Sequence, residues 1–313
     1  ANAGLVGATA ADRLGNLTME REGLIVDVLL IAQAAKNHGG VVIAQVERVV
    51  DRIEDPKAVR VPGLLVDFIV ISGGEGHDQT FGESFNAAYV STGEAFSAPP
   101  PLENQERHKI AERALREIRS GDVVNLGIGL PEAVAHVAAA KGRLGEFTLT
   151  VESGPIGGMP ASGLSFGCSQ FPEAIIDQPA QFDFYDGGGL DVAVLGAVEV
   201  DARGSVNVAS FGERFAGVGG FMNIAQSARR LVFCCTLQAR GRAKFVREIR
   251  HVCFHGPSAL ARGQKVIFVT ERAVFELAAD GLRLIEIADG MDLQADVLEQ
   301  MEFRPQIALA TER

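Results

Sequence analysis

Chemistry is most readily placed where a carboxylate leaves an apolar stretch and enters glycine-rich chain. Val151-Glu152-Ser153-Gly154-Pro155-Ile156-Gly157-Gly158-Met159-Pro160 has that form. A glutamate there can act as base, metal ligand or nucleophile, and the small residues around it leave room for a bulky reactant. It can equally cap its own loop by hydrogen bonds, and spacing alone leaves these roles open. Gly127-Ile128-Gly129-Leu130-Pro131 is a second cluster, set between Val123-Val124-Asn125-Leu126 and a helical stretch. Glycines bring backbone amides close to an anion, and a helix N-terminus favours negative charge. A plain structural turn fits that spacing as well. The dinucleotide pattern GxGxxG is excluded because Glu132 stands at the third glycine, and there is no GK[ST] of a nucleotide P-loop. Gly217-Val218-Gly219-Gly220-Phe221-Met222-Asn223-Ile224 and Asp186-Gly187-Gly188-Gly189-Leu190 complete the set. Consecutive glycines can aim successive amides at one anion. Four such turns, one with a glutamate, point to a single anion-binding crevice.

The elements that would position them alternate in type. Leu5 to Thr9 reads as a strand, Asp12-Arg13-Leu14-Gly15-Asn16 as a turn, and Glu22 to Asn37 as a helix from its apolar spacing. Strands are expected at Val41 to Val46 and Leu64 to Ile71. Ser72 to Glu106 carries Gly73-Gly74, Gly76, Gly82, Gly93 and Pro99-Pro100-Pro101, the composition of a connector. Beyond it come a helix from Glu106 towards Gly121, a strand at Val123 to Leu126, a helix at Glu132 to Ala140 and a strand at Phe147 to Val151. Asp191 to Leu195, Arg230 to Cys235 and Val266 to Thr270 are further strands, and Val198 to Val208 is a hairpin. This alternation implies an α/β fold with a largely parallel sheet, whose ligands sit beyond the carboxyl ends of the strands.

Composition narrows the partners. The chain has 313 residues and a net charge of −11, which argues against nucleic acid and anionic membranes. Cys168, Cys234, Cys235 and Cys253 form no CxxC pair and suit reduced core thiols in a cytoplasmic setting. Arg229-Arg230 and Arg240-Gly241-Arg242 can meet phosphates but fit a solvated face better. His77 and His108 are expected in solvent, and Glu20 and Glu22 beside a helix start.

Taken in order, five stretches resemble the class I CoA-transferase family, most nearly the fused-chain propionate/acetate (short-chain acyl) CoA-transferases. They are Ala11-Asp12-Arg13-Leu14-Gly15-Asn16-Leu17, Asn125 to Pro131, Glu152 to Gly158, Gly188-Gly189-Leu190-Asp191, and Gly217 to Ile224. The resemblance implies an open, largely parallel sheet flanked by helices, of the CoA-transferase or NagB-RpiA-like type, preceded by part of a related domain. It implies residues 1–72 as the C-terminal part of the first domain, 73–105 as a connector and 106–313 as the second domain. It further implies Glu152 as the catalytic glutamate, forming a mixed anhydride and then a glutamyl-CoA thioester. Ile128, Gly129, Asn207, Gly219 and Gly220 are implied as oxyanion or positioning groups. Gly127, Gly154, Gly157, Gly158, Gly188 and Gly217 are implied at the CoA. Coenzyme A would be a substrate, with no permanent cofactor or metal. Acyl-CoA and short-chain carboxylates would be the ligands, with a homo-oligomer or a partner chain supplying the rest of the first domain. An acyl-CoA hydrolase and a non-catalytic acyl-CoA-binding subunit are the alternatives on this scaffold.

Overall fold

The computed structural model describes residues 1–73, 76–93 and 104–309, so Gly74 and Pro99-Pro100-Pro101 lie outside the described residues. The chain divides into two compact units, Ala1–Phe96 with Val151–Gln181, and Ser97–Thr150 with Phe182–Arg313.

In the first unit, β1 (Ala3–Asp12), β2 (Leu17–Thr18), β3 (Val41–Val50) and β4 (Phe68–Ile71) form a sheet in the order β2-β1-β3-β4. β1, β3 and β4 run parallel, and α1 (Val28–Asn37) makes the crossover from β1 to β3. Period-two alternation turns Val6 and Ala8 of β1, with Val42, Ala44 and Val46 of β3, into one core with Val28, Ala32 and Ala35 of α1. On the other face Leu5, Ile43 and Phe68 stand in one row, with Leu5 and Phe68 exposed.

The helix expected over 22–37 begins only at Val28. Val26 has φ +48°, a left-handed conformation that a β-branched residue rarely adopts and that breaks a helix. Glu22 is drawn instead into a polar cluster, accepting from Thr9 Oγ1 at 3.2 Å and His77 Nε2 at 2.9 Å. His77 is therefore not in solvent. Its side chain is 6% exposed, and Gln45 Nε2 donates to its other ring nitrogen at 3.3 Å.

The second unit holds α2 (Gln105–Leu115), β5 (Val123–Leu126), α3 (Glu132–Ala140) and β6 (Thr148–Thr150). Its sheet runs β6, β5, Val192–Gly196, Arg230–Cys234, Lys265–Val269, Ala273–Ala278, Gly281–Ile287 and Gln306–Ile307. The first five strands are parallel, as the alternation of elements implied. The antiparallel hairpin Ala273–Ala278 with Gly281–Ile287 extends the sheet beyond the strands read from sequence. The expected hairpin after Val198 forms from Glu199–Val200 and Val206–Asn207.

An aromatic cluster fills this core. Phe233 stacks on Phe268 at 5.1 Å between ring centroids and meets Phe254 edge-on at 5.2 Å. All three rings are buried. Phe233→Ala leaves a cavity in close-packed surroundings, so it should lower unfolding free energy by about 3–5 kcal/mol, read by denaturant titration. A loss below about 1 kcal/mol would mean that the ring is not a core anchor.

Candidate active site

Two residues before Glu152 the chain is fixed by buried polar groups. Asn125 of β5 pairs in register with Thr150 of β6. Thr150 Oγ1 donates to the Val124 carbonyl at 3.0 Å and accepts from Tyr185 Oη at 2.7 Å, and Asn125 Nδ2 donates to that phenol oxygen at 3.2 Å. All three side chains are buried, where a satisfied network is rigid and a half-satisfied one is costly.

The turn that carries Glu152 belongs to the first unit and is held by neighbouring groups. Val151 N donates to the Pro155 carbonyl at 2.9 Å, Gly154 N to the Val151 carbonyl at 3.0 Å and Ile176 N to the Gly154 carbonyl at 3.1 Å. Ser153 Oγ donates to the Gly167 carbonyl at 2.6 Å. Gly154 has φ +125°, and a Cβ there would stand 2.0 Å from the Ile176 carbonyl oxygen, so only glycine fits. Gly157 and Gly158 turn the chain from Pro155–Ile156 into Met159–Pro160, packed on Glu173 and Gln170.

Glu152 itself is half-buried and has no hydrogen-bond or ion-pair partner among the described residues. A loop cap would be bonded to its loop, and this carboxylate is not. Burial raises its carboxyl above the ordinary glutamate range. Among the described residues no group of three His, Cys, Asp or Glu side chains is placed to hold a metal.

Two turns of the second unit present unpaired amides. Gly127 N donates to the Val194 carbonyl at 2.8 Å, but beyond it the amides of Ile128, Gly129 and Leu130 find no acceptor among the described residues. Arg107 of α2 donates through Nη2 to the Gly129 carbonyl and so fixes the far side of this turn. Gly217 N donates to the Ala209 carbonyl at 3.2 Å, while the amides of Val218, Gly219 and Gly220 are likewise unpaired. Gly220 precedes the helix Phe221–Ser227, which connects the parallel strands Val192–Gly196 and Arg230–Cys234. That crossover places Gly220 at the carboxyl edge of the sheet, the edge from which Gly127 leaves β5.

The remaining expected residues are occupied locally. Asn207 is fully buried, donates to Glu199 Oε2 at 2.7 Å and Ser210 Oγ at 3.3 Å, and accepts from Ala209 N at 2.9 Å. The carboxylate that it holds is thus Glu199. The Gly188 carbonyl accepts from Arg229 at 3.3 Å, and Arg229 also pairs with Asp191. Arg230 pairs with Asp122, whereas Arg240 and Arg242 are exposed. The four cysteines are buried, and burial pushes the Cys168 thiol up to about 12. Sequence reasoning missed Arg107 and Tyr185. Their partners are remote in the chain, so no local pattern announces them.

Residues 107–251 match the family model described as coenzyme A transferase. Caffeate CoA-transferase of Acetobacterium woodii is 43% identical over 96% of this chain and 62% of its own length. A thioester complex of the acyl-CoA transferase YdiF of Escherichia coli O157:H7 superposes with a TM-score of 0.89 at 39% identity, covering 99% of this chain and 62% of that one. Subunit beta of acetate CoA-transferase from Escherichia coli (strain K12) is 32% identical over 64% of this chain and 94% of its own length. The chain belongs to the coenzyme A transferase family. It spans about three fifths of the length of the caffeate transferase and YdiF.

In this member of the family a glutamate with no partner among the described residues has a cost that can be measured. Its folded pKa lies above its unfolded value, so its contribution to stability is present at low pH and lost as pH rises through the raised value. At pH 7 Glu152→Gln, which removes the buried charge, should leave the melting temperature unchanged or raise it. Each kcal/mol of relief corresponds to about 2–4 °C. A clear fall in melting temperature would show that the carboxylate is a structural partner.

Proposed function

We propose that this chain carries the nucleophile of an enzyme that moves CoA between a short-chain acyl-CoA, of the acetate and propionate class, and a free carboxylate. One observation carries the reading: in a member of this family, Glu152 stands half-buried, without a partner among the described residues, at the entrance of a glycine turn. Its carboxylate attacks the thioester carbonyl, the carbon–sulfur bond breaks, and CoA leaves as the thiolate with a mixed anhydride on Glu152. The thiolate then attacks the glutamyl carbonyl, releasing the first acid and leaving a glutamyl-CoA thioester. An incoming carboxylate attacks that carbonyl and expels the thiolate, which takes the acyl group from the new anhydride and frees Glu152.

A carboxylate needs no general base, and desolvation makes it a stronger nucleophile than one in water. The tetrahedral oxyanions require preorganised donors, and we assign them to the unpaired amides of the Ile128–Gly129 and Gly219–Gly220 turns. Gly127, Gly154, Gly157, Gly158, Gly188 and Gly217 are assigned to the backbone that accommodates CoA. Asn207 is assigned to positioning through Glu199, the carboxylate that it binds. The reading includes association, as a homo-oligomer or with a partner chain, and a cytoplasmic setting.

Glu152→Ala should lower exchange of labelled acetate or propionate into acyl-CoA by about 10³-fold or more, as expected for a lost nucleophile. Exchange at the wild-type rate would contradict the assignment. The ionised form is the active one, so kcat/KM should fall with acidification through the raised pKa. The acid limb therefore lies above the ordinary glutamate value of 4.5. A limb at or below that value would show that burial does not tune this group.

A further inference from the structure

The turn that carries Glu152 is tied to a segment that takes no part in the transfer chemistry. Ser153 bonds to the Gly167 carbonyl, and two residues earlier Ser165 donates its hydroxyl to Glu83 Oε2 at 2.8 Å. Thr80 Oγ1 stands 2.9 Å from Ser165 Oγ. Ser165 spends its one proton on the carboxylate, so Thr80 is the donor in that pair. Tyr89 Oη donates to the same Glu83 oxygen, and Asn86 Nδ2 donates to Oε1 at 3.0 Å. Phe171 N closes the other side by donating to the Ala88 carbonyl at 2.6 Å. Ser153, Ser165 and Tyr89 are buried.

Glu83 and Glu152 thus lie in one unit in opposite states. Glu83 collects three side-chain donors, and they hold its carboxyl below the usual range. Charge-assisted bonds of this kind are shorter and stiffer than neutral ones. A loop stitched only by its own backbone bonds would not need a charged hub reached from a remote segment. A nucleophile does need such support, because it has to be held within about 0.5 Å of productive geometry.

We propose that Glu83 is a positioning residue, acting through Ser165 and the 163–167 turn on Ser153 and so on the orientation of the Glu152 carboxylate. This rests on Glu152 being the nucleophile.

The test compares Ser165→Ala, Ser165→Thr and Glu83→Gln in the full-length enzyme. Steady-state exchange is measured beside the single-turnover rate at which acyl-CoA converts Glu152 to its CoA thioester. Ser165→Ala cuts the link yet leaves Tyr89 and Asn86 on Glu83. It and Glu83→Gln should lower kcat and the thioester-forming rate together by about 10–10²-fold, with KM for acyl-CoA little changed. Ser165→Thr keeps the hydroxyl and should restore most of both rates. Should either disabling variant fold poorly, rates are normalised to the sites that can be labelled. A lower melting temperature with an unchanged rate per labelled site would overturn the positioning role while leaving the nucleophile intact. Absence of any Glu152 thioester in the wild type would overturn the nucleophile assignment and this proposal with it.

Discussion

Taking a carboxylate partly out of water without giving it a donor costs free energy, and the fold around Glu152 has to offset that cost elsewhere. A glutamate bonded to its own loop would help to hold the loop. This one does not, so every constraint on its position comes from its neighbours. Within its own unit these are the Val151–Pro155 and Gly154–Ile176 backbone bonds and Ser153 on Gly167. The arrangement separates two jobs that one side chain cannot do together. A carboxylate saturated with hydrogen bonds is a good anchor and a poor nucleophile, as the contrast with Glu83 illustrates.

The same logic applies to the unpaired amides. The backbone N–H groups of Ile128–Leu130 and Val218–Gly220 have no acceptor among the described residues and are not buried. They remain available to negative charge that develops on a reacting group, and an amide already bonded in a strand or helix does not. Arg107 on the Gly129 carbonyl fixes one of these turns by its acceptor side and leaves its donors untouched.

Much of this was legible in the sequence because it is local. Alternation of apolar strands with helical spacing gave the parallel sheet, and the glycine runs at 127–129 and 217–220 marked turns at its carboxyl edge, whereas the run at 187–189 leads into the amino end of Val192–Gly196. Glu152 stood out because a charged residue directly after an apolar strand is unusual. The failures were long-range. Apolar spacing over 22–37 is helical, but Glu22 is claimed by Thr9 and His77, and Val26 adopts a left-handed conformation. His77 looked solvent-exposed because its glycine-rich surroundings suggest a connector, yet Gln45 and Glu22 bury it. None of the partners of Glu22 and His77 lies within a helical turn or a hairpin of the residue it captures, so no periodicity encodes them.

The most direct test of Glu152 as a covalent nucleophile is intact-protein mass spectrometry with peptide mapping after acyl-CoA and borohydride are added together to the full-length enzyme. Borohydride reduces a glutamyl-CoA thioester to the alcohol, which leaves a permanent mass loss on one side chain. That loss is expected on Glu152 and nowhere else, dependent on acyl-CoA. A full-length enzyme that turns over while its Glu152 peptide keeps its mass would contradict it.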